Sequence, residues 1–181
     1  MPAPIVLRVP DPCLVVLVGA AGAGKSTFAG RHFAPDEVLS SDEFRALIAG
    51  DQGDQAATGA AFAALHRALG ARLRRRLLTV VDATSVQARA RGALLRQASV
   101  AGVPAVAIVL DVPADVVLDR NAGRGAAAVP ERAVRSQLAD LAAALADGSA
   151  AWDGFAEVHH LGTTDSIDRV RIVRVVSDSR R

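Results

Sequence analysis

The chain has no tyrosine, one tryptophan, one cysteine and one lysine among its 181 residues. A single cysteine, Cys13, excludes an intramolecular disulfide framework and any multi-cysteine zinc site. Aromatic residues amount to 3%, too few for an extended platform on which nucleic-acid bases could stack. Any contact with nucleic acid is therefore expected to be short and confined to a terminal nucleotide and its phosphate. No apolar run reaches the ~18 residues needed to span a bilayer. The stretch 13–23 is apolar enough to mimic a secretory core, but Asp11 precedes it and only Arg8 is basic upstream. A cytoplasmic protein that does not engage membranes is the expectation. The net charge is only +2, so no global field marks a nucleic-acid coat. With 51% hydrophobic and 22% charged residues, the whole of 1–181 reads as one ordinary globular domain.

The scarcity of lysine is the sharpest of these features. Twenty arginines stand against Lys25, in a chain that also carries 38 alanines. Under such a drift towards Ala and Arg, a retained lysine asks what arginine could not do in its place. Its neighbours answer. Residues Leu14–Val18 (LVVLV) form a continuous apolar, β-branched run of strand length, as in a strand buried on both faces of a parallel sheet. The run leads into Gly19-Ala-Ala-Gly22-Ala-Gly24-Lys25-Ser26-Thr27, a full match to G-x-x-x-x-G-K-[ST], and a helical segment follows. Small residues are needed there because backbone N–H groups must wrap a β-phosphate at the positive end of a helix. The compact ammonium of Lys25 reaches the β- and γ-phosphates where a planar guanidinium would not fit. Ser26 offers its hydroxyl to Mg²⁺. The chain is expected to bind ATP or another nucleoside triphosphate.

Beyond the loop, strands and helices alternate at α/β spacing. Strands are predicted at 37–40, 78–81, 103–110 and 155–161, with helices at about 42–49, 57–76, 86–100, 113–121 and from Pro130 to about Gly148. Phe62, Leu65, Leu69 and Leu73 form the apolar stripe of the long helix. The stretch 50–58 reads as a mobile surface connection, and the tail 166–176 as helix then strand without a firm choice. The fold expected is α/β: a P-loop NTPase with a parallel sheet of about five strands sandwiched by helices. Ligands bind beyond the carboxyl ends of such strands, so the phosphate loop, Ser41-Asp42, Asp82 and Asp111 should converge. Each carboxylate has a second reading as a helix N-cap, and for Asp111 capping or turn formation is the preferred one. Asp82 leans towards a magnesium or active-site role.

An ordered set of motifs goes further. The phosphate loop, Ser40-Ser41-Asp42-x-x-Arg45, Asp54-Gln55-Ala56-Ala57-Thr58, Ala61-Phe62-x-x-Leu65-His66, Val80-Val81-Asp82-Ala83-Thr84, Asp119-Arg120-Asn121-x-x-Arg124 and Val129-Pro130-Glu131 follow one another. Together they resemble the kinase domain of bacterial polynucleotide kinase-phosphatases and, more distantly, the phage 5′-polynucleotide kinase. The resemblance covers about 13–161. It implies a mobile helical lid at about 121–147 and a 5′-hydroxyl end of DNA or RNA as the substrate partner. By the same resemblance, Asp42 matches the general base that takes the proton of that hydroxyl. Arg45 matches the arginine gripping the neighbouring acceptor phosphate, and Arg120 and Arg124 match the lid arginines. Asp82 matches an active-site position. Gly123, Gly125 and three alanines around Arg124 suit hinge motion. The phosphatase and ligase modules of larger relatives have no room in 181 residues, so a free-standing kinase or a single domain is implied.

The histidines carry less. His66 beside the apolar stripe reads as a core-edge residue, and His159 and His160 in a predicted strand must face opposite ways, a poor metal chelate. The arginines at 72 and 74–76 read as a solvated helix end. Two other functions stay open beside the polynucleotide kinase: a kinase for a small hydroxylated molecule such as a sugar, nucleoside or antibiotic, and a non-catalytic nucleotide-binding module.

Overall fold

The computed structural model describes residues 3–48 and 55–176. Its centre is a five-stranded, all-parallel sheet of β2 (Leu14–Val18), β3 (Val38–Ser40), β4 (Thr79–Asp82), β5 (Ala105–Leu110) and β6 (Glu157–Leu161), in the order β3-β4-β2-β5-β6. The expected sheet is therefore present. Every residue of β2, β4 and β5 is buried, which is why β2 and β5 run apolar without alternation.

Two cores lie on the two faces of this sheet. Alternate residues of β2 serve them in turn: Val15 and Leu17 face one, Leu14, Val16 and Val18 the other. The first core takes Phe28 from α1 (Lys25–His32) and Val117 from α5 (Ala114–Ala122). The second takes Leu65, Leu69 and Leu73 from α3 (Gln55–Arg74) and Leu94 and Ala98 from α4 (Ala88–Ala101). Helix α6 (Glu131–Ala146) serves both, giving Val134 to the first and Leu141 and Ala144 to the second. The short α2 (Ser41–Ile48) follows β3 directly.

Three details depart from the sequence reading. Phe62 does not share the burial of Leu65, Leu69 and Leu73; it is 37% exposed, at the edge of the stripe. Helix α3 starts at Gln55, so 55–58 are helical, and the rest of the expected connection, 50–54, lies outside the described residues. A strand not foreseen at all, β1 (Ile5–Asp11), pairs in parallel with β7 (Val170–Val176) as a separate two-stranded sheet, with Leu7 and Val9 buried beneath it. The tail thus resolves into α7 (Thr164–Asp168) and β7. Arg174 of β7 donates two hydrogen bonds of 2.7 Å to Glu37, just before β3. No helix among the described residues is long and apolar enough to cross a membrane.

Candidate active site

Strands β3 and β4 lie to one side of β2, β5 and β6 to the other, so the loop leaving β2 emerges at the point where the strand order reverses. A cleft of about 760 Å³ opens there. The loop that lines it owes its shape to glycine. Gly22 has φ +94°, and a Cβ on it would stand 2.5 Å from the carbonyl oxygen of Val117. Gly24, also left-handed at φ +97°, caps α1 and lets the chain turn into the helix at Lys25.

Lys25 is only 9% exposed, and its Nζ donates to the carbonyl oxygens of Gly19 and Ala20, both at 3.0 Å. Burial pushes its pKa down to about 8, against the pull of the Asp82 and Asp42 carboxylates, with Arg124 adding to the lowering. Ser26 Oγ donates to Asp82 Oδ2 at 2.6 Å. Asp82 itself is buried at the carboxyl end of β4. A hydroxyl and a buried carboxylate opening on a phosphate cleft are hard oxygen donors. Such a pair suits Mg²⁺, which takes one or two protein oxygens and completes its shell with phosphates and water. Among the described residues no group of three His, Cys, Asp or Glu could form an all-protein metal cage.

Asp42 and Arg45, one turn apart on α2, line the same cleft. Arg45 NH1 donates to Asp42 Oδ1 at 2.7 Å, while Arg124 NH2 lies 3.8 Å from Asp42 Oδ2. The carboxylate therefore sits between two guanidinium groups, one from α2 and one from the segment between α5 and α6. The Arg45 guanidinium also lies over the Phe62 ring, 5.9 Å from its centroid. Arg120 lines the same cleft, its NH1 3.7 Å from where a Gly24 Cβ would be. The structure thus brings together Gly22, Gly24, Lys25, Ser26, Thr27, Asp42, Arg45, Asp82, Arg120 and Arg124 around one cavity. Gly19 enters through its carbonyl oxygen, held by Lys25.

Asp111 does not join them. It lies outside the cleft lining, with its Oδ2 2.9 Å from His160 Nε2, and it caps no helix, since α5 starts from Pro113 without a side-chain cap. An imidazole on the neighbouring strand supplied a nearer partner than the helix. His159 turns the other way, 3.3 Å from Glu157, as adjacent strand residues must. His66 is a half-buried edge residue whose Nδ1 pairs with Gln97 Nε2 at 2.7 Å. Arg72 is less solvated than expected: it donates to Thr79 Oγ1 and to the Leu78 carbonyl.

Two residues that shape the cleft escaped the sequence reading as contributors. Gln137 on α6 accepts a hydrogen bond from the Ala21 backbone N–H in the phosphate loop, at 2.9 Å. Buried Asn121 ties both backbone groups of Val129, donating to its carbonyl at 2.7 Å and accepting from its N–H at 3.0 Å. That pair staples the ends of the segment carrying Arg124. The Asp119-Arg120-Asn121 motif held a signal for Asn121, whereas nothing in the sequence distinguishes Gln137 from other polar residues of α6.

A family model described as an AAA domain (AAA_33) matches residues 14–146, from β2 to the end of α6. Among solved structures, a chain of the Pnkp1/Rnl/Hen1 RNA repair complex is 22% identical with a TM-score of 0.65, covering 77% of this chain and 47% of that one. The present chain thus spans about half the length of that relative. A sugar kinase from Janibacter sp. HTCC2649 is 24% identical with a TM-score of 0.52, over 71% of this chain and 77% of that one. A gluconokinase from Sinorhizobium meliloti 1021 is 17% identical with a TM-score of 0.52, over 89% and 90%. These likenesses establish a shared fold, that of P-loop kinases. No curated protein matches the chain by sequence.

Proposed function

Since the chain belongs to the AAA domain family AAA_33 and has the fold of P-loop kinases, we propose that it transfers the γ-phosphoryl group of ATP to the 5′-hydroxyl end of a polynucleotide. The observation that carries this reading is the Asp42–Arg45 pair, which lines the same cleft as Lys25. A carboxylate there can take a proton from an attacking hydroxyl, and a guanidinium one helical turn on can hold a phosphate beside it. A phosphate clamp next to the base has no purpose on an acceptor without phosphate.

The chemistry then divides among named groups. Backbone N–H groups of the phosphate loop and the Lys25 ammonium hold the β- and γ-phosphates. Ser26 and Asp82 would hold Mg²⁺, whose charge offsets that of the phosphates. Asp42 accepts the proton of the 5′-hydroxyl as its oxygen bonds to the γ-phosphorus, and the bond from that phosphorus to the β,γ-bridging oxygen breaks to release ADP. Arg45 leaves Asp42 for the acceptor phosphate on the 3′ side of the reacting nucleotide. Arg124, carried on the stapled segment that we assign as the lid together with α6, meets charge on the transferring group, an effect worth about 10³–10⁵ in rate for arginines so placed.

Transfer of labelled γ-phosphate to a set of acceptors tests this. A 5′-hydroxyl oligonucleotide and a nucleoside 3′-phosphate should be phosphorylated and a bare nucleoside or sugar should be poor. Arg45→Ala should erase that difference. Equal phosphorylation of nucleosides, sugars and oligonucleotides, with Arg45→Ala lowering all of them alike, would replace the polynucleotide end with a small hydroxylated molecule as acceptor.

A further inference from the structure

A second cavity, of about 380 Å³, lies beside the phosphate cleft and is used by none of the steps above. The two share walls: Ala83, Thr84 and Gln137 line both. Phe62, over whose ring the Arg45 guanidinium lies, also lines the second cavity. The cavity therefore begins one aromatic ring away from the group assigned to the acceptor phosphate. Its volume falls within the ~300–1,000 Å³ of ordinary small-molecule sites.

The chemistry of its lining is divided. Leu65, Val86 and Leu94 give an apolar floor, suited to the face of a flat ring. His66, Ser136 and Asp140 give a polar rim. One wall is fixed in advance: Arg91, buried in the interior, donates to the carbonyl oxygens of Ser85 and Val86 and stacks on Trp152, 4.5 Å from the ring centroid. A wall held by a buried guanidinium is built before any ligand arrives, which lowers the ordering cost of binding. On the rim, Asp140 takes a long hydrogen bond of 3.4 Å from Gln87 Nε2. An ionised carboxylate only accepts hydrogen bonds, so it favours a ring edge that presents donors and opposes one that presents carbonyl oxygens.

We infer that this cavity receives the terminal nucleobase of the acceptor and favours guanine. The inference rests on the polynucleotide reading and adds a base preference to it. Guanine offers adjacent N1–H and N2–H donors that match the two oxygens of a carboxylate. The single N–H of uracil or thymine stands between two carbonyl oxygens that a carboxylate repels. Adenine and cytosine carry one amino group each beside an acceptor nitrogen and fall between. With the base in the cavity, the sugar bridges towards Asp42 and the 3′ phosphate towards Arg45, past Phe62.

The test compares kcat/KM for four oligonucleotides that differ only in their 5′-terminal nucleotide, alongside calorimetric binding of guanosine 3′-phosphate and uridine 3′-phosphate. A guanine end should exceed a thymine or uracil end by about 10-fold, the scale of a two-bond base contact. Asp140→Asn should collapse that ratio, because the amide presents a donor where the carboxylate presented an acceptor. Ala90 lies on the exposed side of α4 and lines the cavity, so Ala90→Phe fills it without disturbing the core. This variant should lose kcat/KM for every acceptor while binding ATP as the wild type does. Equal rates for all four ends, unmoved by Ala90→Phe, would overturn the cavity assignment and leave the kinase reading standing. If no oligonucleotide were phosphorylated, yet guanosine 3′-phosphate bound the wild type and not Ala90→Phe, the cavity would stand and the kinase reading would fall. Absence of both phosphorylation and binding would dismiss the two together.

Discussion

The two halves of the cleft are made by opposite means. On the donor side the ligand-facing surface is backbone, bent by Gly22 and Gly24, with a buried lysine tied to two carbonyl oxygens of its own loop. On the acceptor side it is side chain: Asp42, Arg45 and Arg124 are 59%, 41% and 38% exposed and hold one another by ion pairs. Folding sets the donor geometry once. The acceptor geometry rests on contacts that water screens, each worth about 0–1 kcal/mol, so an incoming phosphate can take Arg45 away from Asp42 at little cost. The kinase proposed above would have to hold its nucleotide in a fixed place and yet admit and release an acceptor. The contrast shows how one cleft can do both.

Substitutions can break this contrast in order of severity. Lys25→Ala removes the only ammonium side chain aimed at the phosphates and should abolish transfer, with the far-ultraviolet circular dichroism of the fold retained. Turnover near that of the wild type would place the nucleotide elsewhere. Asp42→Asn should cost about 10²–10⁴ in kcat. ATP affinity, measured by calorimetry, should hold in that variant, since the proposed reading assigns the carboxylate to the acceptor. Equal loss of affinity and turnover would move Asp42 to the donor side and end the division.

The staple between the halves should show a smaller effect. Asn121→Ala leaves the half-buried Val129 N–H and C=O without their partner and should lower stability by about 1 kcal/mol in a denaturant titration. Its kcat should fall more than its ATP affinity, because the segment it closes carries Arg124.

The smallest effect is one of protons. Burial holds the pKa of Lys25 down to about 8. A bound triphosphate favours the charged form and raises that value. Above about pH 8, ATP binding should therefore take up as much as about one proton, and affinity should fall as pH rises through that point. Calorimetry in two buffers of different ionisation enthalpy reads the uptake. Proton release would mean that the ammonium does not meet the phosphates.

How much of this was legible in the sequence follows the same division. The phosphate loop is nine consecutive residues between an apolar strand and a helix, so local pattern was enough. Strands β2 and β5 were the plainest because burial on both faces makes their sequences uniformly apolar. Strand β1 was not, since Arg8 and Pro10 interrupt it and β7, its partner among the described residues, is at the far end of the chain. The hydrogen bond from the Ala21 N–H to Gln137 crosses 116 positions and the second cavity draws on α3, α4, α6 and the segment after β4. Contacts of that kind exist only once helices have packed, and no local spacing announces them. Asp111 shows the converse: a carboxylate at a strand end read as a helix cap or turn former, and a histidine on the next strand claimed it instead.

The lone lysine has one more consequence, in the reactivity of the protein. An amine acidified to about 8 is partly uncharged, and so nucleophilic, under mildly basic conditions where ordinary lysines are almost fully protonated. Here it is also the sole side-chain amine in the sequence. Any acyl or carbamyl adduct found on a lysine of this chain is therefore an adduct in the phosphate loop. Bound nucleotide would shield it, so the mass of one peptide reports how full the site is.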